Sequence, residues 1–553
     1  MSSPPSWLPA RWPIAAALVG LLLFAVVFYG CDSRRVIVVE QTEIDAGDAC
    51  ASLLDNALDM ARPTSLGLVG IRASLQSTPN AAAEQFSQWL RRKDCQAASP
   101  SEPLTPDANA LLTRLLGEKG MQEILSNQAD PFDAGHVRDA LLAYAAVDNL
   151  ARDAENDLDR IMLLFGDVVR TITPQGAGTT EVPLTAYEAQ LFGRGTAENR
   201  ATLFANLLRQ LRIDAVVIRP AADGESAASE ADPWWVGVLL EDGVYLFDTA
   251  LGLPVPAEGL PSSPAAVLPT PTTWSHAIEN PGLLVDYRSE AGLETTLISE
   301  ERLKSPRIEL IGPRSFWSKA MERLELSMSG DRGVLLYDPL HDTQAGPGLV
   351  RRVVEAGGSA WNEDAISIWL HTEHVREARS SLSESQRQRL EQRLQPFLGP
   401  VEAPEANANV VAANRRLWQT RLEHMSGRPG SAIGTYLRVR DADTPNPLLS
   451  PADRALNRQA ADEAHYWSAQ AQFSMGDYAA AVETIDDYLA QEGDRSDEAR
   501  SLRVLSLAAQ GEMDAAVAAV EELPETTPGL ARFKWLASKW TASDAKPAAQ
   551  SEP

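Results

Sequence analysis

Positive charge is what this sequence has least of for its size. Against 76 Asp and Glu it sets 49 Lys and Arg, a net charge of −27 over 553 residues. That deficit argues against binding nucleic-acid phosphates by general electrostatics, and an anionic membrane surface would repel the bulk of the chain. The acidity reads as solubility. Cysteine is scarce as well: beyond Cys31 only Cys50 and Cys95 occur, so a disulfide scheme in the stretch behind Cys31 reduces to one even pair. Phosphate-binding loops are missing. Gly176-Ala-Gly178 and Gly193-Arg-Gly195 lack both the third glycine and the Lys-Ser/Thr of such loops, and they read as turns. His371 and His374 share a helical face at i, i+3, but no third ligand accompanies them, and Trp369, Leu370 and Val375 make that stretch an ordinary amphipathic helix. No metal and no cofactor is expected.

What is present begins with an address. Residues 1–13 form an N-terminal tail, and 14–30 are seventeen residues without a charge, near the minimum for spanning a bilayer. No small-x-small cleavage site follows, which favours an uncleaved anchor over a removed signal peptide. Phe28-Tyr-Gly-Cys31 faintly resembles a bacterial lipoprotein cleavage box, although the bulky Phe28 and Tyr29 depart from it, so lipidation of Cys31 stays open as an alternative. Arg11 and the α-amino group before the span nearly cancel Arg34 and Arg35 after it. A short tail ahead of a large domain places the bulk of the chain outside, periplasmic or extracytoplasmic, on a single-pass anchor. A Cys50–Cys95 disulfide is expected there, worth roughly 4 kcal/mol in the chain-entropy model.

Residues 36–150 read as a helical domain, with stretches at 51–62, 81–92, 109–125 and 136–151 separated by Pro-rich breaks. From 151 to 256 the pattern changes. A helix spans 153–172; then Gly193-Arg-Gly195-Thr-Ala197 opens another, whose Ala201, Phe204, Leu207, Leu208 and Leu211 fall at helical spacing. Ala215-Val-Val-Ile218, Trp234 to Leu240 and Val244 to Asp248 read as strands, with Glu241-Asp-Gly243 a hairpin turn.

This order of helix, strand, hairpin and Asp resembles the transglutaminase-like, papain-related core, and the resemblance covers about 70 residues well. It implies a Cys at the helix start, a His before a Trp at the second strand and an Asp ending the third, acting as nucleophile, base and orienter. On this chain the Cys position falls at Ala197 and the His position at Pro233 or Trp234; Asp248 alone matches. Thr196 and Thr202 are substitute hydroxyls without an adjacent base. Asp248 is then expected to cap a turn at a strand end.

Beyond the module, 257–273 is rich in Pro, Ala, Ser and Thr and reads as a linker or surface crossing. Residues 274–400 read as a mixed α/β region, with strands at 283–287, 307–311 and 333–337 and helices at 316–326, 365–380 and 384–394; His276 falls after Asp248 and is structural. The tail repeats. Gly427 with Ala432, Gly476 with Ala481 and Gly511 with Ala516 share a spacing of five, each followed by a β-branched residue, and Gly476 to Gly511 is 35 residues. Gly permits a tight turn between two helices and Ala their close approach. Residues 410–540 therefore resemble tetratricopeptide repeats, which implies a concave surface for a protein or peptide. Residues 541–553 are expected to be disordered.

The fold class is α+β: an anchor, a helical region, a degenerate transglutaminase-like core with a small antiparallel sheet, and C-terminal helical repeats. The function expected is a membrane-anchored, non-catalytic scaffold holding a protein or peptide, with no nucleic acid. An active hydrolase or acyltransferase with relocated catalytic groups is the alternative.

Overall fold

Alternation decides this fold. Along three consecutive strands the residues point in turn to opposite faces, and both faces are apolar. Val217, Val236, Val238 and Phe247 belong to one buried core, whereas their neighbours Val216, Ile218, Trp235, Val244 and Leu246 belong to a second. The sheet between these cores has the order β6-β5-β4-β3-β7-β8. It comprises β3 (Ala215–Arg219), β4 (Trp235–Leu240), β5 (Gly243–Asp248), β6 (Leu253–Pro254), β7 (Arg307–Ile311) and β8 (Ile366–Trp369). All neighbours are antiparallel except β7 and β8, which run parallel. Gly237 sits where a Cβ would meet Ile218 Cδ1 at 2.6 Å, so the strand centre tolerates no side chain there.

This computed structural model describes residues 46–61, 71–95, 104–175, 182–220, 235–257, 267–293, 295, 298–328, 333–358, 361–398, 408–441 and 450–544. The anchor at 14–30, Cys31, Gly176-Ala-Gly178, the loop carrying Pro233 and Trp234, and residues 545–553 lie outside them; residues 541–544, expected as part of a disordered tail, continue the last helix. No helix among the described residues is long and apolar enough to cross a membrane. Two units separate along the chain, Met1–Cys50 and Ala51–Pro553. The first supplies only the start of helix α1 (Ala46–Ala61). Cys50 and Cys95 are both disulfide-bonded.

One face of the sheet is covered by α5 (Asp157–Thr171) and α7 (Ala197–Gln210), which follow α2 (Ile71–Arg91), α3 (Pro106–Ile124), α4 (Pro131–Leu150) and α6 (Ala186–Phe192). Phe165, Phe204 and Phe247 meet there with ring centroids 4.9–5.3 Å apart, one from each helix and one from β5. α7 begins with a reciprocal capping box between Thr196 and Asn199. A two-stranded parallel pair, β1 (Thr173–Pro174) and β2 (Arg194–Gly195), ties the end of α5 to the α6–α7 junction.

Residues 274–400 complete this sheet rather than building another, since β7 pairs with β3 and β8 with β7. The segment expected as a linker leaves and returns to the same edge: Pro256 bridges Pro271 and Tyr245 bridges Thr273. Three expected elements differ. Residues 283–287 lie in a helix, α9 (Pro281–Glu290), which follows α8 (Trp274–Glu279); Pro281 at its first position favours a helix start. Residues 366–369 form β8 instead of opening the next helix, which starts at His371. The stretch 333–337 makes no strand; its amides bond to side chains, Leu335 to Gln210 and both Leu336 and Tyr337 to Glu325.

Four more helices, α10 (Glu300–Leu303), α11 (Lys319–Ser327), α12 (Leu349–Gly357) and α13 (His371–Ser380), complete this region, and α14 (Glu384–Leu398) leads to the C-terminal array. There α15 (Ala408–Met425), α16 (Pro429–Arg440), α17 (Pro451–Ser474), α18 (Tyr478–Ala490), α19 (Ser496–Ala509), α20 (Met513–Glu521) and α21 (Leu530–Asp544) pack in succession. Gly427, Gly476 and Gly511 are left-handed, with φ of 75°, 78° and 84°. Behind each, the next amide reaches back five residues: Arg428 to Glu423, Asp477 to Gln472, Glu512 to Leu507. That is the Schellman closure. Ala432, Ala481 and Ala516 are fully buried.

The three turns differ in surroundings, which gives a graded prediction. Around Gly511 nothing lies within 4 Å of an added Cβ, while at Gly427 it would stand 2.8 Å from Asn149 Cβ and 3.0 Å from the Ala146 carbonyl. Gly511→Ala should cost about 1 kcal/mol, the left-handed penalty alone, and Gly427→Ala at least about 2 kcal/mol because a backbone atom must move. Urea unfolding of the two variants checks this; equal losses would refute the difference.

Candidate functional site

Of the positions singled out by the resemblance, Ala197 and Asp248 are described, whereas Pro233 and Trp234 lie outside the described residues. Ala197 is the first residue of α7 and presents a methyl group. Trp235, the first residue of β4, is fully buried and stands opposite Asp248 in the register. Among the described residues its indole N–H has no hydrogen-bond partner.

Asp248 is fully occupied. One carboxylate oxygen accepts the Leu251 amide at 2.8 Å, and the other accepts Arg288 Nη1 at 3.0 Å. The pair is 0% and 4% exposed. Burial pushes the Asp248 carboxyl above its ordinary range, against the pull of Arg288 and of two backbone amides. Its main chain closes the same turn, accepting Gly252 N–H at 2.8 Å, and Gly252 has φ of 79°. Asp248 is therefore a turn cap and the anionic half of a buried ion pair.

Arginines fill the neighbouring space. Arg200, one turn into α7, donates to the Ile172 carbonyl at 2.6 and 2.9 Å and to that of Thr249 at 3.0 Å. Burial, then the nearby Arg532, pushes its guanidinium down to about 9. Arg532, from α21, donates to the Val169 carbonyl at 3.1 Å. Between Arg200, Leu251, Tyr466 and Arg532 the space left is about 20 Å³, room for a single water and not for a substrate.

The cover over this region is the C-terminal array. Arg421 of α15 donates to the Gln190 and Leu191 carbonyls at 2.7 and 3.3 Å, and Arg495 to that of Phe192 at 2.7 Å. Those are the last carbonyls of α6, which have no partner within their own helix and lie at its negative end. Trp467 stacks under Arg421 with 3.3 Å between guanidinium carbon and ring centre, and it presses on Gly193, where a Cβ would fall 2.5 Å from the indole. Gly193 is left-handed and caps α6. Arg194 pairs with Glu498. Gly193-Arg-Gly195, expected as a turn, is thus a helix cap at Gly193 running into the short strand β2, and also the seat of the array.

The other hydroxyl and imidazole candidates are spread out. The Thr196 hydroxyl donates to Asn199, and that of Thr202 is buried without a partner. His371 Nε2 faces Asn199 Nδ2 at 3.0 Å. Burial, then His374, pushes the ring down to about 4, so at neutral pH it is uncharged and accepts from the amide. Glu373 caps the 3₁₀ turn at Arg314. His276 Nδ1 contacts the Thr272 hydroxyl at 3.1 Å. Among the described residues only Cys50, Cys95 and Asp94 approach as a metal-ligand group, and both cysteines are disulfide-bonded.

A cleft of about 650 Å³ lies elsewhere, at the C-terminal end of α7, lined by Arg209, Arg212, Asp214, Phe316, Asp338 and Arg352 among others. Sequence reading missed it: its walls come from 209–215, 316–326 and 335–352, and no motif joins them. No protein-family model matches the chain, nor does any curated protein or solved structure.

Two measurements follow. Arg288→Met strands a buried carboxylate and should cost about 3–5 kcal/mol in urea unfolding, with Asp248→Asn in the same chain recovering a large part; no recovery would show that the two do not act as a pair. By NMR the His371 ring should stay neutral until the pH falls to about 4, since its folded value lies below the free one. Titration near 7, where a general base works, would contradict this.

Proposed function

We propose that this chain is a membrane-anchored, non-catalytic scaffold that holds a protein or peptide, built on a degenerate transglutaminase-like domain and tetratricopeptide-like repeats. The observation that carries the reading is the state of Asp248: its carboxylate is held by Arg288 and by the Leu251 amide, opposite a helix that begins with Ala197. A catalytic orienter needs an imidazole to hold. The element order α7, β3, β4, β5 supports the domain resemblance, and the three left-handed glycines with buried alanines five residues on support the repeat resemblance.

The relocated-enzyme alternative needs a nucleophile beside a base. Thr196 donates to Asn199, and the nearby His371 accepts from that same residue, so hydroxyl and imidazole are parted by an amide. The disulfide-bonded state of Cys50 and Cys95 suits an oxidising compartment, which is where an anchor at 14–30 with the domain outside would place them.

The repeats hold the chain's own α6 on the side bearing Arg421, Trp467 and Arg495. A partner would therefore meet the other side, where Glu483, Asp486 and Asp487 are exposed on α18, and its complementary chemistry is cationic. Deleting the repeats would unroof the core, so the test keeps the full chain. Wild type and the triple variant Glu483→Lys, Asp486→Lys, Asp487→Lys are cross-linked in native membranes. A defined polypeptide lost from the variant is the expected result, together with no labelling of 187–256 by thiol- or serine-directed activity probes. Labelling in that stretch, or identical capture by both chains, would overturn the reading.

A further inference from the structure

The 650 Å³ cleft lies outside the scaffold reading, and its charges are unevenly used. Five carboxylates line it, and all are engaged. Asp214 and Asp338 hold Arg352, Glu322 holds Lys319, Glu325 accepts the Leu336 and Tyr337 amides, and Asp342 accepts that of Gly348. Three lining cations differ: Arg209, Arg212 and Arg323 have no carboxylate within ion-pairing distance among the described residues, and Arg323 is turned to Asn127 Oδ1 at 2.7 Å. Arg209 is instead fixed by Asn206 Oδ1 at 2.7 Å and by the Phe316 ring at 4.2 Å.

Arg212 adds a separate observation. Its φ is 60°, at the end of α7 where the Ile213 amide reaches back to the Leu208 carbonyl at 3.1 Å. Glycine is the residue that such a left-handed position favours. An arginine there accepts backbone strain, and strain of this kind gathers at functional sites. The cleft also offers apolar surface: Phe316 and Leu335 in its wall, and Leu326, which is 58% exposed.

We propose that this cleft binds a monoanionic carboxylate carried on an apolar body, with Arg209 and Arg212 holding the carboxylate and Phe316, Leu326 and Leu335 meeting the apolar part. The volume falls in the range of small-molecule sites, roughly 300–1,000 Å³. Planar guanidinium groups match a carboxylate's two oxygens. The five carboxylates around the cleft oppose a dianion, which selects a single negative charge over phosphate. The free C-terminus of an apolar peptide and a medium-chain fatty acid share this chemistry.

Calorimetric titration of the full chain in detergent tests it, with four probes: octanoate, N-acetyl-dileucine as the free acid, the same dipeptide as its C-terminal amide, and inorganic phosphate. The acids should bind, the amide about tenfold more weakly or less, and phosphate more weakly than either acid. Whichever acid binds tighter identifies an acyl or a peptide source. Arg212→Gly should lower acid affinity about tenfold, while its thermal midpoint holds or rises because glycine relieves φ, so the loss is not unfolding. Arg212→Lys should restore part of the affinity. Equal binding of acid and amide, tighter phosphate, unchanged affinity in Arg212→Gly, or no saturable binding of either acid would each overturn the proposal.

Discussion

A helix that ends inside a protein leaves carbonyl groups that water cannot reach, and this structure is organised around satisfying them with arginine. The last carbonyls of α6 receive Arg421 and Arg495, and those at the end of α5 receive Arg200 and Arg532. A guanidinium suits the task because it carries five donors in one plane and a charge that the helix terminus favours. Each of these groups is itself nearly buried, so its desolvation must be offset by bonds to several acceptors together. The outcome couples distant stretches: Arg495 and Phe192 are 303 positions apart, and Arg532 and Val169 are 363.

The same saturation of polar groups marks the surroundings of Asp248. An enzyme keeps polar groups near its reacting centre underused, so that a substrate completes them. Here the reverse holds. Asp248, Arg288, Arg200 and Asn199 have their partners within the chain, and the residual space holds about one water. The cleft at the other end of α7 shows the contrast within a single molecule, because among the described residues Arg209 and Arg212 line it without a carboxylate at ion-pairing distance.

Much of this was legible in the sequence, for local reasons. The amphipathic spacing from Ala201 to Leu211 and the runs in β3, β4 and β5 gave elements within a residue or two of those observed, since period and turn chemistry act over short stretches. The glycines at 427, 476 and 511 were legible because a left-handed turn favours one residue type. Asp248 as a turn cap could be read from its place at a strand end. β8 could not: Ile366–Trp369 is four residues long and adjoins a helical pattern, and only its parallel pairing with β7 makes it a strand. The excursion at 257–273 has the composition of a linker or surface crossing, and composition does not reveal that its ends bond to the sheet edge. The covering of α6 was invisible, for nothing near Arg421 or Arg495 says which carbonyls they will find.

The two cores on either side of the sheet share one dependence. One takes in Leu417 through Leu502, and the other takes in Val504 through Trp540. Neither is complete without helices of the C-terminal array, so a proteolytic nick that released the array would open both cores to solvent at once and turn one cut into a cause of aggregation.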